Sequence, residues 1–263
     1  MQVADISAGR VEYRWIGARN PAAQPVLVFL HEGLGSVAQW RDFPDQVAAE
    51  CGLPALVYSR IGYGGSSACA LPRPISYMHD EALSLLPELL QVLGIAQPIL
   101  VGHSDGASIA LIHAGAAPHP GLLGIAVMAP HSYAEPISVQ SIRAAHDAYA
   151  NGDLRQRLAK YHGANVDCAF RGWCDSWLNP DFAHWNIEAE VARIRHPVLA
   201  IQGEGDEYGT LAQIDTIKTL AKGRVETLIL PNCGHSPHKD QPDAVRVALA
   251  GYVRSLQGGA SSR

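Results

Sequence analysis

The feature that most constrains the fold of this chain is a series of short, continuously apolar runs separated by segments long enough to form helices. Apolar runs without polar alternation predict strands that are covered on both faces, as in a parallel β-sheet. An earlier run, residues 11–16, is expected to be an antiparallel edge strand. The runs predicted as parallel strands are residues 25–30, 54–59, 98–101, 122–129, 197–201 and 225–230.

Helical patterns lie between several of these runs. Apolar residues over 82–93 recur with a period near 3.6 and stop at Gly94, which is predicted to cap the helix. Further helices are predicted over residues 107–117, 211–220 and 242–256. This alternation of strands and helices predicts an α/β protein with a doubly wound, mostly parallel sheet.

One long segment, residues 131–190, interrupts the alternation. It has no strong strand pattern and consists of a polar, helix-prone stretch followed by an aromatic-rich piece. We therefore predict a helical cap, inserted after the sixth strand, over one end of the sheet. Its tryptophans Trp173, Trp177 and Trp185 fit two compatible interpretations, either internal packing of a small cap or the apolar lining of a substrate pocket.

The predicted division of the chain follows from this insertion. Residues 1–130 and 191–257 are expected to form the core, and residues 131–190 the cap. Residues 258–263, which read Gly-Gly-Ala-Ser-Ser-Arg, are expected to form a disordered tail.

Composition narrows the class of protein. Of 263 residues, 48% are hydrophobic and 17% are charged, which excludes intrinsic disorder. The net charge of −5, with no basic cluster, argues against nucleic acid as a partner. No apolar stretch is long enough to span a membrane, and no signal peptide is visible. The expected partner is a small-molecule substrate, and a homodimer remains open.

The five cysteines are an odd number and include no Cys-x-x-Cys pair. This pattern predicts neither a disulfide framework nor a zinc site, and it is typical of a protein in the reducing cytoplasm. The histidines likewise lack the spacing of metal ligands, so no metal or other cofactor is expected.

A candidate nucleophile, Ser104, lies in the sequence Gly102-His103-Ser104-Asp105-Gly106. This matches the pattern Gly-x-Ser-x-Gly at the point where a predicted strand must turn into a predicted helix. Such a turn holds the serine hydroxyl above the carboxyl edge of the sheet, and flanking side chains larger than hydrogen would collide with neighbouring backbone. The N-terminus of the helix would also favour developing negative charge.

A serine hydroxyl needs a base, and His235 is the leading candidate among 12 histidines. It follows Gly234 in the loop after the last predicted strand, so it should emerge at the same edge of the sheet as Ser104. His238 is the alternative.

The third group should be a carboxylate that orients the imidazole. Three acids follow the strand at 197–201, namely Glu204, Asp206 and Glu207. Asp206 is favoured because its short side chain on a glycine-containing turn can be held stiffly, whereas the two glutamates are expected to be solvated.

Catalysis at a carbonyl also requires two donors for the oxyanion. One is expected to be the backbone N–H of Asp105, the residue after the nucleophile. The other is expected from Gly33 in the loop after the strand at 25–30, with Leu34 as the alternative.

These residues together resemble the α/β-hydrolase superfamily over residues 11–256. The chain order Ser104, Asp206, His235 is the order of that superfamily. The loop at 31–36 and the turn at 60–66, which reads Arg-Ile-Gly-Tyr-Gly-Gly-Ser, are further matching landmarks. The chain looks most like the capped serine esterases and the carbon–carbon bond hydrolases of aromatic-ring breakdown, which implies the α/β-hydrolase fold and cofactor-independent hydrolysis at a carbonyl.

Two residues depart from the family pattern. Glu32 stands where family members usually have glycine, and its carboxylate could orient water, bind a cationic group, or pair with Arg60. Asp105 carries a charge where an apolar or amide side chain is commoner, which would disfavour anionic substrates unless the carboxylate is paired or protonated. Glu32, Leu34 and the three cap tryptophans are the candidate substrate contacts.

The leading hypothesis is a serine hydrolase that cleaves a small apolar or aromatic ester or lactone through an acyl-enzyme. Carbon–carbon bond cleavage of a ring-fission dienone would use the same three residues, and rates on an aryl ester and a vinylogous 1,5-diketone would separate the two activities. A ligand receptor that keeps the same residues without turnover is an alternative of another class.

Overall fold

The computed structural model describes residues 1–18 and 20–258, and it contains one eight-stranded sheet. Its strands are β1 Gln2–Ile6, β2 Gly9–Ile16, β3 Val26–Leu30, β4 Ala55–Tyr58, β5 Pro98–His103, β6 Gly124–Met128, β7 Val198–Gly203 and β8 Val225–Leu230. Their order in the sheet is β1-β2-β4-β3-β5-β6-β7-β8; β2 is antiparallel to both of its neighbours, β1 and β4, and the other neighbouring pairs are parallel. The predicted α/β class with a mostly parallel, doubly wound sheet is confirmed.

The antiparallel end of the sheet differs from the prediction in one respect. The strand predicted at 11–16 is antiparallel, but it is not the edge, because β1 pairs with its outer side. The sequence of β1 gives no apolar run, since Ala4 is its only buried residue. Pairing with β2, rather than burial, holds this strand in place.

Helices cover both faces of the sheet. The longer predicted helices are present, and the one that ends near Gly94 does so with a positive φ of 67° at that glycine. The helices are α1 Phe43–Cys51, α2 Tyr77–Asp80, α3 Leu86–Val92, α4 Asp105–Ala116, α5 Pro136–Asn151, α6 Leu154–His162, α7 Val166–Trp177, α8 Glu188–Val191, α9 Ala212–Leu220, α10 Pro237–Asp240 and α11 Pro242–Gly258, with a π-helical turn at Glu81–Leu85 and 3-10 turns at Val37–Trp40, Gly163–Asn165 and Pro180–His184.

The hydrophobic core lies on both sides of the central strand β5. Leu100 faces the cluster that includes α4, whereas Ile99 and Val101 face the cluster that includes α1 and α11. Every residue of α4 from Asp105 to Gly115 is buried, which agrees with the absence of a polar face in its sequence. The central strand and the helix that follows it are therefore fixed by packing from all directions.

Between β6 and β7 the described chain forms helices α5 to α8 and two of the 3-10 turns. These helices bring Trp173 and Trp177 over the carboxyl edge of the sheet. The division into a separate core and cap stays a prediction. Of the tail predicted at 258–263, Gly258 is the last residue of α11, and residues 259–263 lie outside the described residues.

The cysteine prediction was wrong in one respect. The structure pairs Cys69 with Cys168 as a disulfide, whereas Cys51, Cys174 and Cys233 are free. The two paired residues lie 99 positions apart, on the loop after β4 and on α7, so only the folded arrangement brings them together. No helix within residues 1–18 and 20–258 is both long and apolar enough to cross a bilayer.

The burial of α4 predicts a large difference between two leucine truncations. Leu111→Ala removes a side chain that is fully buried in α4 and should lower the free energy of unfolding by about 2–5 kcal/mol. Leu83→Ala removes a side chain that is 40% exposed and should change it by less than about 1 kcal/mol. Urea unfolding measures both values, and equal losses would contradict the described core.

Candidate active site

Three loops at the carboxyl edge of the sheet carry the predicted catalytic side chains. Ser104 follows β5, Asp206 follows β7, and His235 lies in the loop after β8. Parallel strands end at one edge, so residues far apart in sequence meet there. The side chain of each of the three is largely buried, with 12% exposure for His235 and 1% for Asp206.

The turn that carries Ser104 has an unusual backbone conformation. Ser104 has φ 53° and ψ −118°, a combination that is costly for a residue with a Cβ atom. A Cβ on Gly102 would lie 2.6 Å from the backbone nitrogen of Ala107, and one on Gly106 would lie 2.7 Å from the carbonyl oxygen of His31. Both glycines therefore permit the close approach of strand, turn and helix that lifts the hydroxyl into the cavity.

A continuous hydrogen-bond chain joins the three side chains. His235 Nε2 is 2.9 Å from Ser104 Oγ, and His235 Nδ1 is 2.8 Å from Asp206 Oδ1. These distances lie within hydrogen-bond reach, so the imidazole can accept the hydroxyl proton through one nitrogen while the other donates to the carboxylate. The structure thus brings together the three residues that the sequence selected.

Asp206 is held by several donors besides His235. Its Oδ1 accepts from the backbone N–H of Tyr208 at 2.8 Å and of Gly209 at 3.2 Å, and its Oδ2 accepts from Gln202 Nε2 at 3.2 Å. Burial alone would raise the pKa of Asp206, but the hydrogen bond and charge of His235 and the backbone donor outweigh burial, so the pKa lies below its ordinary value. The carboxyl group is therefore ionised and oriented.

The other residues that the sequence offered as base or carboxylate lie elsewhere. His238 is buried between Trp40 and His103, with ring centroids 4.9 Å and 4.7 Å away, and the histidine that is hydrogen-bonded to Ser104 is His235. Glu204 is exposed. Glu207, predicted to be solvated, is exposed but also lines the cavity and accepts from the backbone N–H of His235 at 3.1 Å.

Unpaired backbone donors lie beside the serine. The backbone N–H groups of Gly33, Leu34 and Asp105 donate to no other group within the described part of the chain, and all three residues line the cavity. Asp105 is also the first residue of α4, whose N-terminus favours negative charge. A Cβ on Gly33 would collide with the indole of Trp173, so this position requires glycine.

A cavity of about 180 Å³ opens in front of Ser104. Its apolar wall consists mainly of Leu34, Ile142, Trp173 and Trp177. Drug-sized ligands occupy pockets of roughly 300–1,000 Å³, so this cavity suits a smaller molecule. The polar residues of its wall, besides Ser104 and His235, are Glu32, His103, Asp105, His131, Ser138, Glu207, Tyr208 and Ser236.

The predicted tryptophan contacts need one correction. Trp173 and Trp177 line the cavity, as does Leu34, but Trp185 does not. Its ring stacks on Phe182 at 5.3 Å and lies 6.0 Å from Trp177, so it forms the layer behind the cavity wall. Of the two interpretations of the aromatic segment, lining applies to two tryptophans and internal packing to the third.

The carboxylate of Glu32 does not pair with Arg60. It lies 3.5 Å from His103 Nδ1 and 3.5 Å from Lys239 Nζ, whereas Arg60 donates to the backbone oxygen of Glu32 at 2.8 Å. Burial would raise the pKa of Glu32, but the charges of Lys239 and the neighbouring histidines hold it well below its ordinary value. Glu32 is therefore an ionised group on the cavity wall.

Asp105 turns its carboxylate away from the reacting groups. Its Oδ2 accepts from Tyr77 Oη at 2.6 Å, its Oδ1 accepts from Trp177 Nε1 at 3.3 Å, and Arg60 lies 3.9 Å away. Burial raises the pKa of Asp105 although Arg60 and these donors oppose the shift. The side chain thus ties the serine turn to a tryptophan on α7, while its backbone N–H faces the cavity.

Sequence reasoning missed His131, Tyr208 and His103 as parts of this wall. His131 follows β6 as Asp206 follows β7, so the rule that selected residues after parallel strands could have found it. Tyr208 packs its ring on His235, with centroids 4.6 Å apart.

Within residues 1–18 and 20–258, no group of three or more His, Cys, Asp or Glu side chains is arranged to hold a metal ion.

Comparison with known proteins agrees with this fold. A model of the alpha/beta hydrolase family matches residues 27–248. The 2-succinyl-6-hydroxy-2,4-cyclohexadiene-1-carboxylate synthase of Enterobacter sp. (strain 638) is 27% identical over 260 residues, which cover 88% of this chain and 92% of that protein.

Solved structures show the same architecture. The enol-lactonase from Burkholderia xenovorans LB400 superposes with a TM-score of 0.74 at 20% identity, over 96% of this chain and 100% of that chain. An esterase from Exiguobacterium antarcticum superposes with a TM-score of 0.75 at 17% identity, over 96% of this chain and 98% of that chain. At these identities the likeness concerns the fold.

The close backbone contacts at the serine turn predict opposite effects for two glycine substitutions. Gly102→Ala should strongly destabilise the protein, because its Cβ meets backbone atoms of α4 that cannot move independently. Gly251→Ala lies on helix α11 with no neighbour within 4 Å, and it should raise the free energy of unfolding by about 0.5–1 kcal/mol. Thermal and urea unfolding test both, and a Gly102→Ala protein as stable as the wild type would contradict the geometry of the turn.

Proposed function

The chain belongs to the alpha/beta hydrolase family, and we propose that it is a serine hydrolase that cleaves a small, neutral, largely apolar or aromatic ester or lactone. The observation that carries this proposal is the hydrogen-bond chain from Ser104 through His235 to Asp206, set in a cavity beside unpaired backbone donors. An esterase and an enol-lactonase are among the proteins that share the fold, so the fold accommodates this class of reaction.

The proposed reaction begins with attack of Ser104 Oγ on the substrate carbonyl carbon. His235 Nε2 takes the hydroxyl proton, and Asp206 stabilises the imidazolium that forms. The negative charge on the carbonyl oxygen is held by the backbone N–H groups of Asp105 and Gly33, with Leu34 close by. Each such donor typically contributes a factor of about 10²–10³ to the rate.

Collapse of this intermediate breaks the bond to the leaving oxygen, which receives the proton from His235. Water then enters, loses its proton to His235, and attacks the acyl group on Ser104. The serine oxygen leaves with the returned proton, and the free acid departs. The three side chains end in their starting states, so the cycle needs no other reactant than the ester and water.

The charges of the cavity wall support a neutral substrate. Glu32 and Glu207 line it, and none of its lining residues is lysine or arginine. The related synthase is named for a compound with a carboxylate and a succinyl group. Such an anion would meet the carboxylate of Glu207, as well as that of Glu32, whose charge Lys239 partly offsets at 3.5 Å, and this argues against the same substrate for this chain.

The small volume favours a short acyl group. A cavity of about 180 Å³ bounded by two tryptophans and a leucine leaves room for an acetyl or similarly small group and a single ring. The flat indole rings of Trp173 and Trp177 favour aromatic or planar apolar groups over branched ones.

The assignment of catalytic roles predicts a severe loss on two substitutions. Ser104→Ala should abolish turnover of phenyl acetate, and Asp206→Asn should lower kcat on the order of 10³–10⁴-fold, because the amide favours the wrong imidazole tautomer. Both variants should retain the wild-type circular dichroism spectrum. Ser255→Ala, on α11 and remote from the cavity wall, is the matched control and should leave the rate unchanged. Near-wild-type rates for Ser104→Ala would overturn the proposal.

The carboxylates of Glu32 and Glu207 on the cavity wall predict that the enzyme discriminates between two esters of equal size but different charge. A unit charge about 7 Å away at an effective dielectric constant of about 20 costs about 2 kcal/mol, roughly 30-fold in rate. Phenyl hydrogen succinate should therefore have a kcat/KM at least about 10-fold below that of phenyl 4-oxopentanoate, its neutral isostere. Glu207→Gln should narrow the gap. Equal values for the two esters would show that the wall does not select against anions.

A further inference from the structure

His131, on the cavity wall, takes no part in the reaction just described. Its backbone is fixed by Ser108 on α4, whose hydroxyl accepts from His131 N–H at 3.1 Å and donates to His131 carbonyl at 2.8 Å. On the side of His131 these bonds use only the main chain, and among the described residues its imidazole forms no hydrogen bond. The residue is nevertheless a buried histidine, with 2% exposure.

The two ring nitrogens of His131 have different surroundings. Nδ1 is buried without a hydrogen-bond partner among the described residues, and the Nδ1–Cε1 edge lies against the backbone of Gly209. Buried N–H groups without an acceptor are rare in native structures. Of the two neutral tautomers, the one with its proton on Nε2 leaves no buried Nδ1–H without an acceptor, and it offers its N–H to the cavity that His131 lines.

The imidazole of His131 is neutral at pH values near 7. Burial, reinforced by the charge on His235, lowers the pKa of His131 to about 3, although Asp206 opposes the shift. A neutral imidazole carries one donor, so His131 presents a single N–H to a bound molecule.

The position of His131 relates it to the leaving group of the substrate. The rings of His131 and His235 have centroids 5.8 Å apart, and Trp177 lies 5.1 Å from His131. His235 must deliver a proton to the leaving oxygen, so the leaving group lies beside the imidazole of His235. His131 lies on the same wall as His235, as do Tyr208 and His103, whereas the backbone donors for the carbonyl oxygen come from the loops that carry Gly33 and Asp105.

We infer that His131 determines specificity by donating a hydrogen bond from Nε2 to a second oxygen of the leaving group. The preferred substrates are then esters or lactones whose leaving alcohol carries a neutral acceptor, such as an ether, keto or ring oxygen, close to the scissile bond. This inference rests on the proposed function and adds a substrate class to it. The neutral acceptor also agrees with the carboxylates on the wall, which would repel an anionic oxygen.

The test compares 2-methoxyphenyl acetate with 2-ethylphenyl acetate. The two leaving groups are similar in size and acidity, but only the first carries an acceptor beside the ester oxygen. The wild type should prefer the methoxy ester by about 3- to 10-fold in kcat/KM, the range expected for one neutral hydrogen bond. His131→Phe keeps a ring without a donor and should bring the ratio close to one.

Two further variants make the ratio diagnostic. His131→Gln places an amide N–H near the position of Nε2 and should restore part of the preference. Ile142→Val alters the same cavity without removing a donor, and its ratio should equal that of the wild type even where absolute rates change. Ratios are compared rather than rates because any change of the wall affects both esters.

The outcomes separate this inference from the proposed function. If both esters are hydrolysed with dependence on Ser104, and the ratio is the same in wild type and His131→Phe, the inference is wrong while the function stands. If neither ester is hydrolysed and Ser104→Ala changes nothing, the proposed function itself fails. A lost ratio in His131→Phe with recovery in His131→Gln supports the inference.

Discussion

The close packing of backbone against backbone around Ser104 is the constraint on which the rest of this structure depends. Strand β5 must turn into α4 within one residue, and the positive φ of Ser104 is the result. Gly102 and Gly106 allow this because any side chain there would meet α4 or the end of β3. Since α4 is buried along nearly its whole length, the surrounding core holds the turn in this conformation. A hydroxyl on a looser loop would not stay within reach of His235.

The site also shows how a fold can hold several carboxylates close together. Each is matched with its own partners: Asp105 with Arg60 and Tyr77, Glu32 with Lys239 and His103, and Asp206 with His235. A buried charge without a partner would strongly destabilise the fold, so the site could not form without these pairs. Asp105 links catalysis to architecture, because its backbone faces the cavity while its side chain holds Trp177 from α7.

Sequence reasoning succeeded where position along a parallel sheet determines the outcome. Ser104, Asp206 and His235 each follow an apolar strand, and parallel strands end at one edge, so their meeting could be predicted without coordinates. The same rule applies to His131, which follows β6. It was not selected because nothing in the local sequence distinguishes it from the other histidines, of which the chain has 12 in all. The outermost strand, β1, escaped detection because it buries one residue and is held by pairing alone.

Side-chain partners were harder to predict than the positions of the main chain. The pairing of Glu32 depends on Lys239, which lies more than 200 residues away, and nothing in the local sequence indicates it. The contact of Cys69 with Cys168 and the placement of Trp185 behind Trp177 likewise arise from the packing of helices between β6 and β7. Such choices depend on rotamers and helix orientation, which the apolar pattern of a sequence leaves undetermined.

Covalent labelling of the intact protein with a fluorophosphonate, followed by peptide mass mapping, tests the central claim most directly. Such a reagent reacts with a serine only when a base has activated its hydroxyl. The account predicts one adduct per chain, on Ser104, and no adduct when His235 is replaced by alanine. Labelling at another serine, or equal labelling with and without the imidazole of His235, would contradict it.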